Sequence, residues 1–90
     1  MEFEWDPDKG AQNLNKHKVS FHEAATVFGD QLSVTFPDPD HSISESRYIT
    51  IGLSHRGRLL IVAHTDRDDR IRIISAREAT RREGIFYEEK

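Results

Sequence analysis

At Gly29 the hydrophobic period of this sequence changes, and that change demands a fold built from helices and strands together. Before it, Phe21, Ala24, Ala25 and Phe28 recur at i, i+3, i+4 and i+7, the apolar stripe of an amphipathic helix. Ser20-Phe-His-Glu23 opens that stripe with a capping box, and Gly29 suits its end. After it, Leu32, Val34 and Phe36 alternate with Ser33 and Thr35, the period of a half-buried strand, until Pro37-Asp38-Pro39-Asp40 stops it.

The same reading extends in both directions. Phe3 and Trp5 alternate with acidic residues as a short strand, and Asp6, Pro7 and Asp8 then start a helix predicted over 7–17, with Ala11 and Leu14 buried. Residues 47–53, RYITIGL, form a strand with Ile49, Ile51 and Leu53 on one face. His55-Arg-Gly-Arg58 holds a hairpin glycine, and LLIVAHT, 59–65, is apolar on both faces, as a central strand should be. After the turn at 66–69, RIRIIS places Ile71 and Ile73 on one face and Arg70, Arg72 and Ile74 on the other. A last helix is expected from Ser75, with Arg77 and Arg81, and Glu78 and Arg82, as i, i+4 pairs. The sum is β-α-α-β-β-β-β-α, an α+β fold in which an antiparallel meander of four strands packs against helices.

At 90 residues the chain has the length of one domain with one modest core. The longest apolar run, Leu59 to Ala63, is far short of a membrane span, and the acidic start MEFEWD lacks the regions of a signal peptide, so a cytoplasmic protein is expected. Without cysteine there is neither a disulfide framework nor thiolate chemistry. The net charge of -3 hides an uneven distribution. Between Arg56 and Arg82, eight arginines stand against Asp66, Asp68, Asp69 and Glu78, a local excess of four positive charges that suits an anion.

Taken in order, three segments resemble the BrnT-type ribonuclease toxins of bacterial type II toxin–antitoxin modules, whose fold is similar to that of RelE-type toxins. They are FEWDPDKGAQNLNKHKVSFHEAATVF, ESRYITIGLSHRGRLLIVAHTDR and IRIISAREATRRE. They carry W-D-x-x-K (Trp5, Asp6, Lys9), N-x-x-K-H (Asn13, Lys16, His17), the V-S-F-x-E-A helix start and R-I-I-S-A-R (Arg72 to Arg77). Lys18 stands where the pattern usually has glycine, a substitution that costs about 1 kcal/mol if the position is a left-handed cap. The resemblance implies a metal-independent endoribonuclease that cuts RNA, mRNA above all. It also implies a BrnA-like antitoxin that forms a hetero-oligomer with the toxin and represses the operator DNA through that complex.

Such chemistry uses the neighbouring 2′-hydroxyl of RNA as nucleophile, and the protein supplies a base, an acid and cations around the phosphorus. Arginine suits the cation role because its planar fork donates two hydrogen bonds to one phosphate while staying charged. Arg67, Arg72 and Arg77 are the candidates, expected to converge at one end of the sheet, against the bland alternative of solvated surface arginines. Glu45 is a candidate base or a solubilising loop residue, and His17 a proton carrier or a histidine that meets the carbonyls of its helix end. Lys9 and Arg47 are candidate RNA-backbone contacts; eight residues separate Lys9 from His17, which puts them about 80° apart around the helix. Tyr48 and Tyr87 either stack a base or sit half-buried. Asp38-Pro-Asp40-His41 has metal-ligand residue types but is an ordinary turn former without a second cluster, and no zinc-hydrolase spacing links His22, His55 and His64. The rival to a nuclease is a non-catalytic module whose arginine-rich face docks an acidic partner.

Overall fold

The computed structural model describes residues 1–38 and 46–88. Its elements run β1 (Glu2–Glu4), α1 (Pro7–His17), α2 (Phe21–Thr26), a single 3-10 turn (Val27–Gly29), β2 (Val34–Pro37), β3 (Arg47–Leu53), β4 (Leu59–Arg67), β5 (Arg70–Glu78) and α3 (Arg81–Glu88). The strands form one sheet in the order β1-β5-β4-β3-β2. Neighbours from β2 to β5 are antiparallel, as the meander requires, and β1 joins β5 in parallel. The strand that is apolar on both faces, β4, stands at the centre. No helix among the described residues is long and apolar enough to cross a membrane.

One face of the sheet carries the larger core. Leu60, Val62, Ile73 and Ala76 meet Val19, Phe21, Ala24 and Val27, with Phe3, Trp5 and Phe28 at the margin. Asp6 caps α1 through its side chain, which accepts from the Asp8 N–H, and Ser20 caps α2 by accepting from the Glu23 N–H. The 3-10 turn then packs so closely on β3 that a Cβ at Gly52 would lie 2.8 Å from Val27 Cγ1, which leaves glycine as the residue that fits. Lys18 adopts φ 60° and ψ 30°, the left-handed cap where the resemblance expects glycine.

Asn13 closes the edge of the sheet. Because β1 ends at Glu4, opposite Arg72, the edge of β5 that faces away from β4 has no strand beside it beyond that point. The Asn13 side chain takes that place: its Nδ2 donates to Ala76 O at 2.8 Å and to Val19 O at 2.9 Å, while its Oδ1 accepts from Ala76 N at 3.1 Å. A single buried amide thus serves three backbone groups that burial would otherwise leave unpaired. This reverses the expected face of α1. Ala11 and Leu14 point outward, with Leu14 49% exposed, and the inward face is Gly10, Asn13 and His17.

A second buried polar group pins the β3–β4 hairpin to α2. Glu23, 3% exposed, accepts from Arg58 through both carboxylate oxygens and from Ser54 Oγ at 2.7 Å, while Arg58 also donates to Lys18 O. The Arg58 guanidinium holds the Glu23 carboxyl at about 2, below its usual 4.5. Because that folded value lies below the unfolded one, the stabilisation is complete above pH 4.5 and is lost as pH falls towards 2.

The last helix starts later than expected. Residues 75–78 continue β5, where Ala76 pairs with Val62 and Arg77 with Ile61, so Arg77 lies on a strand and the i, i+4 pairs with Arg81 and Arg82 do not form. Thr80 and Glu83 make the true helix start: Thr80 N donates to Glu83 Oε1 at 2.8 Å and Glu83 N to Thr80 Oγ1 at 3.2 Å, a reciprocal capping box.

Replacement Asn13→Ala should lower stability by about 3 kcal/mol, the scale of stranding buried backbone groups, and should be measured by urea denaturation. For Glu23→Gln, the decline in stability between pH 4.5 and 2 should become shallower than in the parent, as read from melting temperatures across that range.

Candidate functional site

The opposite face of the sheet is only partly covered. The side chains of Phe36, Ile49, Ile51, Leu59 and Ile61 make a second apolar surface, and α3 lies over part of it through Tyr87. Both ends of α3 are tied down. At its start Arg77 Nη1 and Nη2 each donate at 2.8 Å to the two oxygens of Glu83, and at its end the Tyr87 hydroxyl donates to Asp30 Oδ2 at 2.6 Å. The Asp30 carboxylate pushes the Tyr87 hydroxyl up to about 12, and the Arg77 guanidinium holds Glu83 at about 2, so both pairs keep their form across the neutral range.

Three adjoining cavities form a trough across this face. The first, about 290 Å³, lies between α1 and β5 and is lined by Lys9, Asn13, Lys16, His17 and Ser75. The second, about 320 Å³, shares His17 and Ser75 with it and adds Asp38, Arg47, Ala63 and Arg77. The third, about 450 Å³, lies on the far side of Arg77 beneath α3 and is lined by Phe36, Ile49, Ile61, Glu83 and Phe86. Side chains from three separate stretches of chain therefore meet over the middle cavity: the imidazole of His17 from the end of α1, and the guanidinium groups of Arg47 from the start of β3 and Arg77 from β5.

A bulge makes this arrangement possible. In the pairing of β4 with β5, Ala63 faces Ser75 and His64 faces Ile73, so Ile74 is an extra residue without an opposite number. Ile73 and Ala76 both reach the core beneath, and Arg72 and Arg77, five positions apart, come to the same exposed face.

Arg67, Arg72 and Arg77 do not converge at one end. At about 3.3 Å per residue, Arg72 and Arg77 stand roughly 15 Å apart along β5, and Arg67, opposite Arg70, is farther still from Arg77. Arg72 donates to Glu4 Oε2 at 3.1 Å at the β1 edge, and Arg67 is exposed at the end of β4. Lys9 and His17 both line the first cavity, and Arg47 joins His17 in the second. Glu45 lies outside the described residues, as do Pro39, Asp40 and His41 of the Asp-Pro-Asp-His turn. Among the described residues no group of three metal-ligating side chains is gathered. Tyr48 stacks on His64 with ring centroids 5.9 Å apart, and Tyr87 is buried, so both tyrosines have structural employment. His64 itself is buried on the core face beside Thr50, and burial pushes its imidazole below its usual range.

Glu83, Ser75 and Phe86 are among the trough residues that escaped the sequence reading. Glu83 was legible in principle, because Thr80-Arg-Arg-Glu83 is a capping-box signature, and it would have placed both the helix start and the partner of Arg77. Ser75 carries no such signal; the bulge beside it is a property of strand pairing.

A family model described as "Ribonuclease toxin, BrnT, of type II toxin-antitoxin system" matches residues 5–83. Among solved structures, the crystal structure of the Brucella abortus ribonuclease toxin BrnT is similar in fold, with a TM-score of 0.71, 21% sequence identity, and coverage of 90% of this chain and 99% of that one. No curated protein matches the sequence.

The geometry makes a direct prediction for a simple anion. Inorganic phosphate titrated into isotope-labelled protein should shift the resonances of His17, Ser75 and Arg77 and leave the turn between Arg67 and Arg70 unmoved. Shifts confined to that turn would place the anion site at the other end of β5.

Proposed function

The chain belongs to the BrnT family of ribonuclease toxins of type II toxin–antitoxin systems, and from that premise we propose that it is a metal-independent endoribonuclease acting on mRNA at the middle of the trough. The observation that carries this reading is the convergence of His17, Arg47 and Arg77 on one cavity. Arg77 binds and stabilises the scissile phosphate. It holds a planar oxyanion, the carboxylate of Glu83, through both Nη atoms, and its Nε–H and second Nη2–H remain to donate to a phosphate oxygen while that ion pair stays in place.

His17 moves the proton. It sits where the first two cavities join, and its two ring nitrogens can accept a proton from a 2′-hydroxyl or deliver one to a leaving 5′-oxygen. Glu45, two residues before Arg47 in the sequence, is the alternative base. Glu83 is a poor base because Arg77 holds its carboxyl at about 2. Arg47 and Lys9 hold the RNA backbone on either side of the reacting phosphate, and Arg72 and Arg67 extend the cationic track along β5 and β4. The reaction balances without a cofactor: the 2′-oxygen attacks phosphorus, the 5′-oxygen leaves with a proton, and a 2′,3′-cyclic phosphate remains.

A toxin of a type II module has a protein antitoxin as its partner, and here that partner is a BrnA-like protein that offers carboxylates to the same arginines. The toxin works in the cytoplasm, where mRNA is translated, and meets operator DNA only through the complex with the antitoxin.

Purified protein incubated with a defined RNA in EDTA should generate 2′,3′-cyclic phosphate ends. Arg77→Ala should slow cleavage by roughly 100-fold or more, the usual cost of removing one group that stabilises transition-state charge, while Arg72→Ala has the smaller effect. Intact RNA from a folded sample, with and without translating ribosomes, would sink the nuclease and favour a non-catalytic binding module.

A further inference from the structure

Arg77 divides the trough into unlike halves. On one side lie His17, Arg47 and Asp38, and on the other an apolar cavity of about 450 Å³, floored by Ile49 and Ile61 and walled by Phe36 and Phe86. The size is that of a small-ligand site. The two phenylalanine rings meet edge to face, with centroids 5.9 Å apart, and Phe86 is 52% exposed, so the cavity shows aromatic surface to solvent at its mouth. One side of Phe86 packs on Phe36, and the half left open is a flat apolar surface of the kind on which a flat ring stacks.

A nucleotide has the same division, with an anionic phosphate joined through a sugar to a flat base. We propose that the cavity beneath α3 is a nucleobase subsite that receives one unstacked base of the RNA, adjacent to the phosphate bound by Arg77, with Phe86 as its principal stacking surface. Single-stranded RNA is recognised in this way, with splayed bases laid on aromatic side chains. The Glu83 carboxylate stands at the rim, where its remaining lone pairs accept from the N–H groups of a base edge. The subsite deepens the ribonuclease reading and rests on it. It also gives α3 a purpose beyond covering apolar surface: the ion pair of Arg77 with Glu83 fixes the base cavity relative to the phosphate cation.

The test is Phe86→Ala, with Phe86→Trp as the variant that restores a stacking surface, both assayed for cleavage and for the bases flanking each cut. Phe86 is half exposed, and circular dichroism checks that both variants fold. Phe86→Ala should raise KM about tenfold, the scale of losing one stacked base, should broaden the base preference beside the cut, and should leave kcat within a few-fold; Phe86→Trp should restore both. Wild-type cleavage with KM and preference unchanged in Phe86→Ala overturns the subsite and leaves the nuclease standing. If the wild type cleaves no RNA, the nuclease reading falls, and binding decides the subsite separately. Nucleoside 3′-monophosphates should then shift the Phe36 and Phe86 ring resonances where inorganic phosphate does not. Equal shifts from both ligands overturn it.

Discussion

The structure depends on a side chain that behaves like a piece of backbone. With β1 only three residues long, most of β5 would face α1 with unsatisfied amides, and a helix cannot pair with a strand edge through its own backbone, whose hydrogen bonds are spent within it. The Asn13 amide solves this by offering a donor and an acceptor in the spacing of a peptide group. It also holds Val19 O, and so fixes the chain between α1 and α2 to the same strand. The position of His17, one helical turn beyond Asn13, follows from that bond. The trough therefore inherits one of its walls from a hydrogen bond buried behind it.

Element order was legible because it rests on local signals: hydrophobic period, caps and turn residues. The central place of β4 was legible too, since a strand without a polar face belongs inside a sheet. What the sequence concealed depends on partners far along the chain. Asn13 looks like one more polar residue of an amphipathic helix until Ala76, 63 positions away, stands beside it. The run Ser75-Ala-Arg-Glu78 has residues that suit a helix, and only its pairing with β4 makes it a strand. The parallel partnership of β1 with β5 left no mark in either segment.

The site was legible in part for the same reason. The sequence singles out His17, Arg47 and Arg77 among others, and the fold brings these three to one cavity. Arg67, chosen for its place at the turn, and Arg72, carried by the R-I-I-S-A-R motif, are kept apart from Arg77 by the length of β5. The abundance of arginine in 70–83 has more than one explanation: Arg70 and Arg72 offset the acidic β1, while Arg77 turns to the trough and holds α3.

The extra residue at Ile74 gives β5 a rule of parity. In an unbroken strand, positions 72 and 77 differ by an odd number and would show opposite faces; the bulge restores the match, and deleting its extra residue would leave an even, unbroken spacing with both arginines still on one side. Loss or gain of two residues would keep both on the same side. Two arrangements therefore keep both arginines on the exposed face, an odd spacing with a bulge and an even spacing without one, a constraint written in counting rather than in residue type.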